Sequence, residues 1–240
     1  MGIAERHATD FATRAHDHDR SGTFPHENWD AMRSSGLLGI TVPAEYGGLG
    51  VASVHDDVLA FNRLARGDSS TALGAMMHAA GGLLFAGAAQ ADATTAAAAE
   101  PLLRGLEAGP GRGLRRAEPG TSFPWFLVEG TPVDGGFEIN GRKIFGTNAP
   151  AATHFHVFFR APDGNGGWST MSTLVDRDAP GLTIAEDWDA LGMRALGSHT
   201  LSFANCVVPR EAAQVLAPWG SSTPASWRSS KRRSPGRRVL

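Results

Sequence analysis

The spacing of apolar residues changes once along the chain, from a helical period to a strand period. Up to about residue 110, apolar side chains recur every three or four positions, which predicts amphipathic helices. Beyond that point, runs such as HFHVFFR (154–160) alternate apolar and polar residues, which predicts strands. Stretches rich in Gly, Pro and Asp separate these runs, as in hairpin loops. Helices followed by strands predict an α+β protein with two segregated parts.

Two apolar stripes define the central helices of the first part. One helix is predicted to end at Gly67, and its stripe consists of Val54, Val58, Phe61 and Ala65. The next helix has Ser69 or Ser70 as its candidate N-cap, and its stripe consists of Leu73, Met77, Ala80 and Leu84. Gly and Ala surround this second stripe, which predicts a helix that is buried on most sides. Pro101 is predicted to break or kink the Ala-rich helix that follows.

The second part is predicted to be an antiparallel sandwich or barrel of short strands. Asn140-Gly141 is predicted to be a hairpin turn. A later strand is predicted to alternate through Leu201, Phe203, Asn205 and Val207, with Cys206 packed in the sheet. The segment VVPREAAQVLAPWG (207–220) predicts a return to helix. GGLG (47–50) and GPGRG (109–113) lack the spacing of phosphate-binding loops and are predicted to be turns.

Charge is distributed unevenly, although the net value is only −2. Residues 221–240 hold six of the 22 basic residues and no acidic one, so the body of the chain has 16 basic residues against 24 acidic ones. An acidic body argues against a nucleic-acid groove, and we predict no nucleic-acid partner. The basic end lacks an apolar period and is predicted to be an unfolded terminus.

The apolar runs, the cysteine count and the positions of the histidines bear on cellular location and on metal binding. The sequence has no apolar run long enough to cross a bilayer and a single cysteine, so we predict a cytoplasmic protein without a membrane partner or an internal disulfide. HDHD (16–19) lacks a distant ligand set, and His154 and His156 are predicted to lie on a solvated sheet face. We therefore predict no metal site.

Two short stretches suggest ligand binding. AEPGTSFP (117–124) combines a Pro-Gly turn with two hydroxyls and free backbone N–H groups, which can hold an anion. NGRKIFGTNAP (140–150) ends in a small, hydroxylated segment rather than in core residues. Neither stretch is specific alone, since most such turns and edge strands bind nothing.

Four stretches in this order resemble the acyl-CoA dehydrogenase family of flavoproteins. They are FPHENWDAMRSSGLLGITVPAEYGGLG (24–50), AEPG (117–120), FEINGRKIFGTNA (137–149) and WDALGMRALGSHTLSFANCVVPREA (188–212). The resemblance implies an N-terminal helical domain over residues 1–110 and a flavin-binding antiparallel β-domain, barrel or sandwich, over 111–212. Residues 213–240 would be the truncated start of a C-terminal region with a basic tail, for which a frameshift is our hypothesis.

The resemblance also implies a cofactor, FAD, and the residues that hold it. Phe145 would stack near the flavin ring, the hydroxyl of Thr147 would lie near its reactive nitrogen, and the backbone of Gly146 would reach the ring edge. The pyrophosphate would lie against the turn, with Leu114, Ala117, Thr121 and Ser122 as the other candidate cofactor-binding residues. Glu118 is interpreted as a structural acid. No catalytic residue is assigned, because the family's general base lies in its C-terminal helical domain.

Three functions follow from this resemblance. The first is α,β-dehydrogenation of an acyl thioester, with acyl-CoA as the candidate substrate, an unidentified electron acceptor and a homo-oligomeric full-length form. The second is a flavin-dependent monooxygenase of the same fold, which the departures at Arg115, Arg116 and Ala117 and after the Glu-Pro-Gly turn favour. The third is a non-catalytic remnant that acts only as a binding module.

Overall fold

The computed structural model describes residues 2–90, 93–108, 112–115 and 125–221. The first part of the chain is helical, and two short 3-10 turns, Leu37–Gly39 and Ala44–Tyr46, connect its helices. Its helices are α1 (Gly2–Phe11), α2 (Ala15–Ser21), α3 (His26–Ser34), α4 (Val54–Ala65), α5 (Ser69–Ala89) and α6 (Ala93–Ala108). α6 runs through Pro101, where a break or kink was predicted.

The second part is one mostly antiparallel sheet. Its strands are β1 (Arg112–Arg115), β2 (Glu129–Val133), β3 (Gly136–Gly146), β4 (His154–Pro162), β5 (Trp168–Asp176), β6 (Leu182–Ile184), β7 (His199–Pro209) and β8 (Gln214–Pro218). The order is β6-β7-β3-β2-β4-β5-β8, and β1 pairs with β4 beside β2. β1 and β2 run parallel to β4, whereas the other described pairs are antiparallel. The predicted α+β class is confirmed, with a sheet that stays open.

Each part has its own apolar core. The helical core includes Phe11, Trp29, Met32 and Leu64, each at most 1% exposed. The sheet core includes Ile139, Phe155, Val157, Phe159, Leu201 and Cys206, all fully buried. Burial of Cys206 agrees with its predicted role in strand packing. Removal of these large side chains from water is the main stabilising contribution to both parts.

The predicted apolar faces of α4 and α5 are rotated from the true ones. Val54 and Val58 are 63% and 55% exposed, because the buried stripe of α4 runs through Asp57, Phe61 and Leu64. A count of apolar residues alone cannot find a stripe that contains a buried carboxyl group. In α5 the small side chains are buried and most of the predicted stripe is half-buried; the buried set includes Ala72, Ala75 and Ala79.

The N-cap of α5 is Asp68, not Ser69 or Ser70. The Thr71 N–H donates to Asp68 Oδ1 at 3.1 Å, which satisfies an amide of the first helical turn. Asp68 Oδ2 accepts from the Thr71 hydroxyl at 2.6 Å and from Asn28 Nδ2 at 3.1 Å. The carboxyl group therefore joins the start of α5 to α3.

Asn140-Gly141 is not a hairpin turn. The turn between β2 and β3 is Asp134-Gly135, since Val133 pairs with Gly136. Asn140 and Gly141 lie inside β3, at a register shift against β7. There Asn140 Oδ1 accepts from the Asn205 N–H at 2.8 Å, and Asn205 has φ of 53°. Two facing irregularities thus replace the predicted turn.

Because of the same irregularity, the alternation predicted for β7 is wrong beyond Asn205. After Asn205 the alternation changes phase, so that Cys206 and Val208 are buried while Val207 is 58% exposed. The predicted helix after β7 is also wrong, because Gln214–Pro218 forms β8 and pairs with β5. Val215, Leu216 and Ala217 are consecutive apolar residues, so this edge strand has no alternation that would distinguish it from a helix, which explains the error.

Other predicted features concern local environment. GGLG forms a turn in which the amides of Leu49 and Gly50 donate to Gly39 O and Val42 O, both at 2.9 Å. His156 lies on a buried face, not a solvated one, with its ring 5.4 Å from that of Phe85 in α5. In the described part of the chain, none of the helices has both the length and the apolar character needed to cross a bilayer.

Candidate functional site

The end of β3 presents an exposed aromatic ring beside a buried hydroxyl. Phe145 is 56% exposed, whereas Thr147 is 8% exposed. The Thr147 N–H donates to Phe145 O at 2.7 Å, and the Ala149 N–H donates to Gly146 O at 2.9 Å. These bonds turn the chain sharply after β3. As a result, the ring points to solvent while the hydroxyl stays beneath the surface.

The backbone of this turn has positive φ angles at residues other than glycine, which are energetically unfavourable. Phe145 has φ of 55° and Asn148 has φ of 67°. Met193, which contacts the same region through Trp188, has φ of 56°. Positive φ is unusual for non-glycine residues and is a marked outlier for a bulky side chain such as phenylalanine. Strain of this kind, which costs about 1–3 kcal/mol per residue, concentrates at functional sites.

The second aromatic ring of the site comes from the segment before β7. The Trp188 ring lies 6.1 Å from that of Phe145 at an interplanar angle of 81°. Its Nε1 donates to Met193 O at 3.0 Å, which fixes the indole. Phe145 and Trp188 therefore form an aromatic corner at the end of the sheet.

A second hydroxyl lies against Thr147. Ser198, 4% exposed, donates from Oγ to Thr147 Oγ1 at 3.0 Å. Thr147 Oγ1 in turn donates to Phe145 O at 3.3 Å, a longer contact. We refer to Phe145, Gly146, Thr147, Trp188 and Ser198 as the β3-end site.

A neutral histidine supports the aromatic corner. His199 follows Ser198 and pairs with Gly146 across β3 and β7. The backbone N–H of Trp188 donates to His199 Nδ1 at 3.0 Å, so the proton of the imidazole ring is on Nε2. Burial lowers the pKa of His199 below its ordinary value of 6.5, although the carboxylates of Asp187 and Glu186 act in the opposite direction. The imidazole is therefore uncharged at neutral pH.

Acidification should release this support. Because the pKa of folded His199 lies below 6.5, its stabilising contribution is complete above that pH and is lost as the pH falls through the folded value. Protonation removes the Nδ1 acceptor, and one hydrogen bond is worth about 1 kcal/mol. When the pH is lowered from about 7.5 to about 5, the free energy of unfolding of the parent should therefore fall by about 1 kcal/mol more than that of His199→Gln. Urea denaturation at both pH values measures this difference. Equal losses in both proteins would contradict this role.

A buried side-chain amide links the site to the helical part. Asn148 is fully buried, and its Nδ2 donates to Gly74 O of α5 at 2.8 Å. A Cβ on Gly74 would lie 2.4 Å from Asn148 Oδ1 and 3.2 Å from Trp29 Cζ2. Glycine is therefore required where α5 approaches the residue next to Thr147.

The structure brings only some of the predicted cofactor residues together. Phe145, Gly146 and Thr147 form one turn, whereas Leu114 lies in β1 with its backbone opposite His156. The predicted pyrophosphate residues Ala117, Thr121 and Ser122, and also Glu118, lie outside the described residues.

Sequence reasoning missed several side chains at this site. They are Trp188, Ser198, His199 and the buried amide of Asn148. The first three fall within the stretch 188–212 that carried the resemblance, so this stretch signalled their importance without their roles. Within the ranges that the structure describes, no group of three or more His, Cys, Asp or Glu side chains is arranged to hold a metal ion.

The chemistry of the β3-end site fits a flat ligand with a polar edge. The exposed ring of Phe145 and the ring of Trp188 offer apolar contact, and the Thr147 hydroxyl, which accepts from Ser198, offers a hydrogen bond beside them. A flavin ring combines these two needs, since it is aromatic and carries nitrogen and oxygen atoms along its rim. A helical part followed by a sheet that carries such a site is the arrangement expected of a flavoprotein.

Comparison with known proteins identifies the family. Residues 3–99 match the acyl-CoA dehydrogenase N-terminal domain, and residues 118–206 match the acyl-CoA dehydrogenase middle domain. The chain belongs to the acyl-CoA dehydrogenase family. It spans about half the length of the curated relatives that it matches.

Its relatives include nitrososynthases. The chain is 38% identical over 215 residues to L-evernosamine nitrososynthase from a Micromonospora species, covering 88% of this chain and 50% of that protein. The structure of KijD3 with FMN and dTDP-3-amino-2,3,6-trideoxy-4-keto-3-methyl-D-glucose has a TM-score of 0.82 and 36% identity, over 90% of this chain and 53% of that one. FMN-bound TdsC from Paenibacillus sp. A11-2 has a TM-score of 0.75 and 27% identity, over 90% and 53%.

Proposed function

We propose that this chain binds FMN at the β3-end site and supplies that site to a flavin-dependent monooxygenase acting on the amino group of a nucleotide-linked sugar. The observation that carries the proposal is the exposed Phe145 ring beside the buried Thr147–Ser198 hydroxyl pair. The nitrososynthase relatives and the sugar nucleotide bound to KijD3 support the substrate class.

The residues of the site divide the work of binding. Phe145 and Trp188 would pack against the ring system of FMN and exclude water, and the Thr147 hydroxyl would donate to its polar edge. Bound in its reduced form, flavin supplies two electrons to O₂, so that one oxygen atom is transferred to the amine nitrogen and the other leaves as water. The fixed Trp188 loop keeps the aromatic wall in place during this chemistry.

The proposal replaces acyl thioester dehydrogenation as the preferred activity and FMN replaces FAD as the preferred cofactor. Support comes from the nitrososynthases among the relatives and from the FMN in two similar structures. Acyl-CoA dehydrogenases also occur among the relatives, so acyl-CoA is the comparison substrate. Loss of flavin colour on addition of acyl-CoA without O₂ would favour dehydrogenation. Consumption of O₂ with oxidation of a dTDP-amino sugar, in the presence of reduced FMN, would favour the proposed oxygenation.

Flavin binding is the direct test of the β3-end site. We expect the purified chain to quench FMN fluorescence on titration and Phe145→Ala to weaken FMN binding by about 10-fold, since aromatic stacking adds about 0.5–1.5 kcal/mol beyond apolar burial. Val207→Ala is the matched control, because Val207 is 58% exposed on β7 and lies away from the site. Parent-like binding by Phe145→Ala would place the flavin elsewhere, and a parent chain that binds no flavin would refute the proposed function.

A further inference from the structure

We propose that Ser198 is a positioning residue that makes Thr147 a hydrogen-bond donor toward the flavin, and thereby favours the oxidised cofactor over the reduced one. This inference rests on the proposed function, because it concerns the same flavin site. The observation behind it is a chain of two buried hydroxyls that ends at the turn carrying Phe145.

The direction of the hydroxyl chain is set by its geometry. Ser198 Oγ donates to Thr147 Oγ1 at 3.0 Å, and Thr147 Oγ1 donates to Phe145 O at 3.3 Å. A hydroxyl has one proton and two lone pairs. Ser198 occupies one lone pair of Thr147, so the Thr147 hydroxyl is biased toward donating its own proton.

The bond that Thr147 accepts from Ser198 and the bond that it donates to Phe145 O differ in strength. The bond from Ser198 has ordinary length, whereas 3.3 Å is long for a bond between a hydroxyl and a carbonyl oxygen. The Thr147 proton can therefore leave Phe145 O for a better acceptor beside the Phe145 ring at small cost. Donation by Ser198 also polarises the Thr147 O–H bond and strengthens the new bond.

Burial makes the pair effective. Ser198 is 4% exposed and Thr147 is 8% exposed, so water cannot readily replace either partner. Hydrogen bonds between buried groups are electrostatically stronger than those in water, and a lost partner leaves an unsatisfied group. Removal of the Ser198 hydroxyl should consequently change what Thr147 offers to a ligand, although Ser198 itself is covered.

The chemistry of flavin makes this bias measurable. The central ring nitrogen of oxidised flavin is an acceptor, and the same nitrogen in reduced flavin carries a proton and becomes a donor. A Thr147 hydroxyl that is biased toward donation pairs better with the oxidised form. Loss of Ser198 should therefore weaken binding of oxidised FMN more than binding of reduced FMN, and should raise the reduction potential of the bound cofactor.

The experiment compares affinities of the full chain for both redox states of FMN. We expect Ser198→Ala to weaken the binding of oxidised FMN by about 10-fold and the binding of reduced FMN by about threefold or less, consistent with the loss of one buried hydrogen bond. Ser198→Thr, which keeps the hydroxyl, should restore the parent ratio. Ser202→Ala, in the strand β7 that begins directly after Ser198, is the matched control and should leave both affinities unchanged. Ser198→Cys keeps the shape of the side chain with a weaker donor and replaces Ser198→Ala if that variant does not fold.

A double variant tests whether the two hydroxyls act as a unit. After Thr147→Val, the further change Ser198→Ala should have little additional effect on oxidised FMN, because its target is absent. Additive losses, equal losses in both redox states, or Ser198→Ala affinities equal to those of Ser202→Ala would each overturn the inference while leaving the flavin site intact. Absence of FMN binding by the parent would overturn the proposed function and this inference together.

Discussion

Gly74→Ala should lower the free energy of unfolding by about 2 kcal/mol, although alanine is the better helix former. The new methyl group would lie 2.4 Å from Asn148 Oδ1 and 3.2 Å from Trp29 Cζ2. Neither neighbour can move easily, because Trp29 is 1% exposed and Asn148 is held by its bond to Gly74 O. Overpacking of this kind typically costs about 1–3 kcal/mol, which outweighs the gain in helix propensity of about 1 kcal/mol.

The same helix provides the control for this prediction. Gly87 also lies in α5, but a Cβ there would meet nothing within 4 Å. Gly87→Ala should therefore stabilise the chain by up to about 1 kcal/mol, so the two variants should differ in sign. Urea denaturation measures both. Stabilisation by Gly74→Ala would show that α5 does not press on Asn148. FMN titration of Gly74→Ala adds a functional reading, since a displaced Asn148 should also displace Thr147.

Asp68→Ala should be at least as damaging, with a loss of about 3 kcal/mol. The carboxylate caps α5 through the Thr71 N–H and also accepts from the Thr71 hydroxyl and from Asn28 Nδ2. Loss of a helix cap costs about 1 kcal/mol, and each buried partner left unsatisfied costs about 1–3 kcal/mol more. Asn28 and Thr71 are 0% and 2% exposed, so water cannot replace the carboxylate.

Ser69→Ala distinguishes this structure from the cap expected from the sequence. Ser69 is exposed and is not the N-cap, so its replacement should change stability by no more than about 0.5 kcal/mol. Thermal and urea unfolding of the two variants provide the test. A large loss for Ser69→Ala together with a small one for Asp68→Ala would restore the cap predicted from the sequence.

The fold class could be predicted from the sequence because it depends on the spacing of apolar residues and on the order of the segments along the chain. A helical period followed by a strand period, with the four family stretches in order, sufficed for the α+β class. Individual faces were less predictable. The buried stripe of α4 contains Asp57, and a rule that counts only apolar residues cannot include a carboxyl group. In β7 a single residue with positive φ, Asn205, shifts the alternation for the rest of the strand.

The candidate site could be predicted only in part. The resemblance indicated Phe145 and Thr147, but the hairpin turn predicted at Asn140-Gly141 is an irregularity within β3. Ser198 and His199 reach the site through pairing of β3 with β7, about 50 residues along the chain. The hydrogen bond between Ser198 and Thr147 depends on that register, which apolar spacing does not determine.

The backbone conformation at Phe145 implies a compromise between the stability of the fold and the function of the site. A phenylalanine with φ of 55° and a largely solvent-facing ring is a poor choice for a chain selected only to remain folded. Glycine would suit the conformation better, but it would remove the aromatic wall. Laboratory selection for heat resistance alone should therefore tend to eliminate this side chain, and selection for catalysis should retain it.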